Sequence, residues 1–363
     1  MEEVKVPGYK KVVKFTGKKT GITGIVCIHN DALGPALGGT RIYPYATFEE
    51  ALFDVTRLAQ GMTYKSSIHG SGLGGGKSVI IASPEQKSPE LFEEFASVLN
   101  FLEGEYTAAE DMNCSPEDMG ILSQFTPYVV GVKHAQSSGN PSPFTVWGVL
   151  RGIESALQHT RKSTDLEGLV VAVQGLGSVG MRLAELLFWR GARLIVSDKD
   201  SAKVEYCMKN YAAQKSSVAE IFSVKCDIFS PCAMGGILNP TTIPYLQCKI
   251  VAGAANNQLL QDEDSTLLAE KGILYVPDFV INGGGLINVT QELEVEGYNP
   301  QLARNKVHAI YDELLSIFAK AEALGKSTHE IALQIANERV KKGEGKRVHP
   351  PVYHHYAKSH ANA

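Results

Sequence analysis

Two lysines, Lys65 and Lys77, stand twelve residues apart in the stretch Met62–Lys77 (MTYKSSIHGSGLGGGK), and the second closes the run Gly72-Leu73-Gly74-Gly75-Gly76. Glycines remove Cβ atoms, so backbone there can approach a small ligand closely or take a positive φ. A lysine set just past such a run offers a compact positive charge to whatever the run contacts. If it is partly buried, its pKa falls. Alone, the stretch reads more readily as a loop of solvated lysines, but two further features of the chain argue against that. Tyr106–Met112 (YTAAEDM) is a short strand candidate ending in adjacent carboxylates, Glu110 and Asp111. Gly175-Leu-Gly177-Ser178-Val179-Gly180 follows the apolar run Leu169–Gln174 and opens a helical pattern, with Asp198 eighteen residues past the last glycine. That context turns a weak G-x-G-x-x-G into a specific dinucleotide signal. Gly175 allows the tight turn, Gly177 lets backbone approach a pyrophosphate, and Gly180 lets the helix lie close to the sheet. The free N–H groups of the helix start, at Ser178 and Val179, face an anion. Asp198 would accept hydrogen bonds from both ribose hydroxyls of NAD and repel the 2′-phosphate of NADP, although Lys199 beside it tempers that choice.

The elements that position these groups alternate strand and helix. Val12-Val13 and Ile25–Ile28 read as short strands. Thr47-x-x-Glu50 is a capping box for a helix carrying Leu52, Val55 and Leu58 on one face, with Gly61 expected to stop it. Val79–Ala82 reads as a buried strand after Lys77. Helices open at Ser88-Pro89 and Ser115-Pro116. His134–Pro143 (HAQSSGNPSP) is the sharpest break in composition, and it predicts a hinge or domain boundary. Beyond it, Pro143–His159 reads as a helix. Strands near 169–174, 193–197, 227–230, 250–252 and 273–276 each run into glycine and small polar residues, the rim where open α/β sheets bind ligands. Residues 286–322 and 327–342 read as two long helices, the second capped by Ser327 and Glu330, and Lys341–Ala363 as a loosely ordered basic tail. The expected fold class is α/β: an N-terminal α/β substrate domain plus a Rossmann dinucleotide-binding domain, with a cleft between them. The boundaries are 1–137 for the substrate-binding and oligomerisation domain and 138–325 for the NAD domain, with C-terminal helices of about 325–363 packing back on the first.

At 363 residues the chain is long enough for two such domains. Its net charge of −4 makes no electrostatic case for nucleic acid or an anionic membrane. No apolar run is long enough to span a bilayer, and Met1–Lys10 lacks the apolar core of a signal peptide. Six cysteines without a C-x-x-C pair predict reduced thiols in a cytoplasmic protein, with no zinc site or disulfide framework.

With these pieces in place the chain resembles the glutamate/leucine/phenylalanine/valine dehydrogenase superfamily over nearly its whole length, nearest to the leucine branch. The resemblance rests on Gly38-Gly39-Thr40-Arg41, Gly61–Lys65, Leu73–Lys77, Ala109-Glu110-Asp111, Ser138–Pro143, Gln174–Gly180, Ala254–Asn257 and Pro277–Val289. It implies reversible oxidative deamination of an L-amino acid by NAD to the 2-oxo acid, ammonia and NADH, in a homo-oligomer between dimer and octamer. By the same resemblance Lys77 is the catalytic lysine and Asp111 the carboxylate assisting proton transfer. Lys65, helped by backbone around Gly39, pairs with the substrate carboxylate and could also be the cation that lowers the pKa of Lys77. Asn257 lies near nicotinamide and substrate, and Thr145 holds the nicotinamide amide. Leu37, Ala109, Leu286 and Val289 resemble the lining of the side-chain pocket. Ala109 points to the leucine branch and Leu286 to the phenylalanine branch, a feature shared by tryptophan-using relatives. Branched aliphatic substrates are favoured, with aromatic ones as the alternative. A non-catalytic NAD-binding paralogue is a third reading, which the presence of Lys77 and Asp111 disfavours.

Overall fold

A computed structural model of the chain describes residues 1–135 and 137–356. They form two compact units, one of residues 1–140, 286–303 and 336 onward, the other of residues 141–285 and 304–335. Residues 286–303 thus group with the first unit, whereas the sequence pattern places them in the second.

The first unit is built on a six-stranded sheet from β1 (Glu2–Glu3), β2 (Lys11–Thr16), β3 (Thr23–Asn30), β4 (Ala36–Tyr43), β5 (Gly74–Ile81) and β6 (Tyr106–Glu110). The strand order is β1-β2-β3-β5-β4-β6. The β1 to β5 side is antiparallel, whereas β4 runs parallel to both β5 and β6. Alternation along each strand sends residues to opposite faces. Val13, Phe15, Val26 and Ile28 pack with Phe92 and Phe95 of α2 (Pro89–Phe101), near α3 (Pro116–Leu122). Val12, Ile25, Cys27 and Val79 pack with Val55 and Ala59 of α1 (Phe48–Ile68). Thr47 and Ser115 cap α1 and α3: the Thr47 hydroxyl accepts from the Glu50 N–H, while Glu50 itself accepts from the Ala46 N–H, and Ser115 forms a full box with Asp118.

Two local expectations are overturned here. Gly61 does not stop α1, which continues to Ile68 and carries Lys65. A helical glycine costs about 1 kcal/mol, less than the packing of the turn that follows it. The glycine run is not a loop either: Gly74–Gly76 begin β5. A Cβ on Gly75 would lie 2.1 Å from the Thr63 backbone nitrogen, and one on Gly76 2.8 Å from the Tyr106 ring. These glycines let α1 and Tyr106 press directly on the strand.

The second unit has a six-stranded, all-parallel sheet: β7 (Val170–Gln174), β8 (Arg193–Ser197), β9 (Gln214–Lys215), β10 (Ile228–Pro231), β11 (Ile250–Val251) and β12 (Leu274–Tyr275), in the order β12-β11-β10-β7-β8-β9. The order reverses between β7 and β10, and such a switch point leaves a crevice at the carboxyl ends of the strands. Helices α4 (Ser142–Arg161), α5 (Ser178–Trp189), α6 (Ser201–Tyr211), α7 (Asp264–Glu270) and α8 (Asp278–Ile281) follow the chain through this unit. The expected helix over 286–322 is broken into α9 (Gly284–Thr290), α10 (Pro300–His308) and α11 (Ile310–Leu324), interrupted by Gly297 at φ 81° and by Pro300. The last helix, α12 (Thr328–Lys342), opens with the Glu330 N–H donating to the Ser327 hydroxyl, as the capping box predicts.

The tail is not loose over its described length. After α12, the Arg347 and Val352 N–H groups donate to the carbonyls of Leu33 and Leu293, and residues 343–356 lie against the first unit. Composition hides this, because the partners are backbone carbonyls far away in sequence. The remainder of that predicted tail, 357–363, lies outside the described residues.

Candidate active site

On the first unit's sheet, three adjacent strands bring together the charged residues picked out above. Lys77 is on β5, Gly39 and Arg41 are on β4, and Asp111 directly follows β6. The Lys77 Nζ lies 2.9 Å from Asp111 Oδ1, and the Arg41 Nε donates to Asp111 Oδ2 at 2.9 Å. Arg41 is held in turn by Asp54 at 2.8 Å. Lys77 is only 4% exposed. Gly39 makes room for it: a Cβ there would stand 2.8 Å from the Asp111 Cβ and 3.0 Å from the Lys77 Nζ.

The electrostatics follow from burial and from the signs of the neighbours. Burial lowers the pKa of Lys77 below the usual lysine value, and the Arg41 guanidinium pushes the same way while Asp111 opposes both. Burial alone would raise the Asp111 carboxyl, yet Lys77 and Arg41 together hold it well below the usual carboxylate range. Arg41 stays charged, because Asp111 and Asp54 outweigh its own burial. Arg41 is therefore a cation that depresses Lys77, a part the sequence reading offers to Lys65. The signal for Arg41 is present in the chain: it follows Gly39 by two residues on a strand, hence on the same face. Lys65 itself sits half-buried on α1, the helix packed on β5.

Leu37, Ala109, Leu286 and Val289, the residues matched to a side-chain pocket, do meet. Leu37, Ala109 and Leu286 share one apolar cluster with Leu73, Val130 and Leu293, and Val289, Met62 and Tyr353 pack against it. Leu37 precedes Gly39 by two residues on β4, and Ala109 precedes Asp111 by two at the end of β6. The apolar cluster and the charged triad thus lie along the same strands.

On the second unit, the Gly175–Gly180 turn has the geometry its glycines imply. Gly175 has φ 93°, and a Cβ on Gly180 would lie 1.9 Å from the Gly175 carbonyl oxygen. A Cβ on Gly177 would meet nothing within 4 Å. The α5 N-terminus starts there with no side chain capping it, so its N–H groups are open to an anion. Ser178 is exposed and Val179 half-buried at that end. Asp198, at the end of β8, accepts from the Leu176 and Asp200 N–H groups at 2.5 and 2.9 Å, and these bonds keep it ionised against the effect of its partial burial. An open anion cradle beside a half-exposed carboxylate at a switch point suits a dinucleotide. Thr145 on α4 lies near Gly285, where a Cβ would come within 2.8 Å of its hydroxyl. Asn257 is half-buried at φ 49°, its carbonyl accepting from the Gly236 N–H.

A dinucleotide cradle on one unit and a buried amine paired with a carboxylate on the other are the parts of a nicotinamide-dependent dehydrogenase acting on an amine. Comparison with known proteins agrees. Residues 9–128 match the family described as "Glu/Leu/Phe/Val dehydrogenase, dimerisation domain", and residues 196–346 match "Glutamate/Leucine/Phenylalanine/Valine dehydrogenase". The chain belongs to this family and is an amino acid dehydrogenase. It is 46% identical over 340 residues to an L-tryptophan dehydrogenase of Nostoc punctiforme, covering 93% of this chain and 95% of the relative. It is 45% identical over 334 residues to a leucine dehydrogenase of Thermoactinomyces intermedius, covering 92% and 91%. The crystal structure of L-tryptophan dehydrogenase from Nostoc punctiforme superposes with a TM-score of 0.78 at 43% identity, covering 93% and 97%.

Proposed function

We propose that the protein catalyses reversible NAD-dependent oxidative deamination of an apolar L-amino acid, with branched aliphatic side chains favoured over aromatic ones. The observation that carries this reading is the buried Lys77–Asp111–Arg41 triad lying along the same strands as the apolar cluster of Leu37, Ala109 and Leu286. In the balanced reaction the amino acid, NAD+ and water give the 2-oxo acid, ammonium, NADH and a proton. The first unit is the substrate unit: Lys65 pairs with the substrate carboxylate, helped by backbone at Gly39. Leu37, Ala109, Leu286 and Val289 surround its side chain. The second unit holds the cofactor. The Gly175–Gly180 turn and the N–H groups at Ser178 and Val179 take the pyrophosphate, Asp198 the ribose hydroxyls, and Thr145 and Asn257 the nicotinamide end. A nicotinamide held there would supply the acceptor for the hydride leaving the substrate α-carbon.

The proton traffic belongs to this chain. Lys77, kept weakly basic by burial and by Arg41, takes a proton from the water that attacks the iminium carbon and returns one to the departing amine. Asp111 stays ionised throughout, orients the Lys77 amine and balances its charge. Arg41 is a positioning residue that fixes the Asp111 carboxylate through a second oxygen. The name of the first family domain supports a homo-oligomer, and the uncapped thiols suit a reducing, cytoplasmic setting. The test is NADH formation with leucine, valine, isoleucine, phenylalanine and tryptophan. Turnover fastest with branched aliphatic substrates is expected; no turnover with any of them would refute the reading.

Aromatic substrates are the second reading. Leu286 in the apolar cluster favours it, as does the similarity to a tryptophan dehydrogenase.

A further inference from the structure

The segment after α12 forms a strap on the first unit, and its anchoring is specific. The Arg347 guanidinium donates to the Leu293 carbonyl at 2.5 Å and lies 3.3 Å from the Glu294 carboxylate, with its side chain 7% exposed. Gly34 and Gly72 admit it: a Cβ on either would come within 3.3 Å of the Arg347 Cβ. Beyond this anchor, the imidazole of His354 bonds the Glu294 carbonyl at 2.8 Å. Tyr353, between the Val352 and His354 attachments, turns inward. Its ring packs against the apolar cluster of Leu37, Ala109 and Leu286 and stands edge-on to Tyr128 at 5.5 Å. Its hydroxyl bonds the hydroxyl of Thr107, a fully buried residue of β6, at 2.7 Å.

The register shows where along the pocket this ring lies. Thr107, Ala109 and Asp111 alternate onto one face of β6, and a strand advances about 3.3 Å per residue. Asp111 marks the charged end and Ala109 the middle. Thr107, with Tyr353 bonded to it, is roughly 13 Å from Asp111 by the same rise. We propose that Tyr353, delivered by the C-terminal strap, closes the far end of the substrate side-chain pocket and sets the length of side chain it accepts. This inference rests on the substrate site proposed above.

The strap thereby gives the substrate unit a wall from a part of the sequence that carries no other chemistry. Because the ring is held by a hydroxyl pair as well as by apolar contact, its position is defined to a hydrogen-bond length. A pocket end set this way discriminates by the fit of the last few substrate atoms.

The test compares kcat/KM for leucine, phenylalanine and tryptophan in the full-length wild type, Tyr353→Ala, Tyr353→Leu and Tyr353→Phe. Shortening the ring should raise the tryptophan-to-leucine ratio by about tenfold or more, the scale that a few methylene-sized gaps command in such pockets. The change should appear mainly in KM for the larger substrate. Tyr353→Phe keeps the ring and should keep the wild-type order of substrates. A ratio that stays put or falls in Tyr353→Ala, with thermal unfolding and NADH binding intact, overturns the proposal. If Tyr353→Ala does not fold, Tyr353→Leu, which keeps apolar volume without the ring, decides between the same two outcomes by the same ratio. A uniform loss across all three substrates shows a merely structural role and also overturns it. An inactive wild type would instead refute the dehydrogenase reading itself, and this inference with it.

Discussion

Two glycine-rich stretches, one in each unit, do opposite work. In Gly74–Gly76, a side chain would strike protein at once: Asn30 backbone at 2.3 Å, Thr63 backbone at 2.1 Å, the Tyr106 ring at 2.8 Å. In Gly175–Gly180 the first and last glycines are equally confined, by Ala233 and by the turn's own carbonyl, but Gly177 faces open space. Only at Gly177 is the missing Cβ left to something other than the chain itself. The first stretch lets the chain close tightly on the strand that leads into Lys77, α1 at Gly75 and the Tyr106 ring at Gly76. The second exists to keep a helix N-terminus accessible. Glycine content alone cannot tell these roles apart; what the absent atom would touch does.

Substitutions can break that contrast. The largest effect is expected at the lysine the first stretch leads into. Lys77→Ala should lower turnover by about 10²–10⁴-fold, the usual weight of a positioned acid–base group, while NADH binding measured by fluorescence survives. Retention of more than a few per cent of activity would contradict the role given to it. Next is Gly75→Val, whose branched side chain would drive into the α1 backbone. A loss of about 3 kcal/mol or more in chemical denaturation is expected, since backbone cannot yield as a flexible side chain can. The matching change at Gly177 should do the reverse. Gly177→Val should leave the unfolding midpoint nearly unmoved and weaken NADH binding about tenfold, roughly 1.4 kcal/mol. Equal effects of these two variants on stability would erase the distinction. Smallest is Gly72→Ala, where φ 68° and the nearby Arg347 together predict a loss of about 1 kcal/mol. Faster hydrogen exchange over 343–356 would locate that loss in the strap.

The same contrast explains what is legible in the sequence. The turn at Gly175 is readable because its function needs a fixed spacing of glycines between a strand and a helix, all within one short stretch. The caps at Thr47, Ser115 and Ser327 are readable for the same local reason. The glycine strand is not, because glycine is a poor strand former, and only pairing with β3 and β4, distant in sequence, makes it one. Lys77, Asp111 and Gly39 stand out through their motifs, and Arg41 stands in the Gly39 motif too, but its pairing with both Asp111 and Asp54 emerges only when the strands and α1 come together. Tyr353 leaves no local signal, since its segment is polar and basic and its partners, Thr107 and Leu293, lie far away in the chain.

The central claim is that burial and Arg41 together lower the pKa of the Lys77 amine below the usual lysine value, against the opposing pull of Asp111, so that the amine can take and return a proton during turnover. The most direct measurement is the pH dependence of kcat/KM for deamination in the wild type and in Arg41→Gln. Removing the guanidinium takes away a charge that disfavours protonated Lys77, so the pKa of the amine should rise and the acid limb of the profile should move to higher pH. An acid limb that stays in place, or moves to lower pH, would contradict the account.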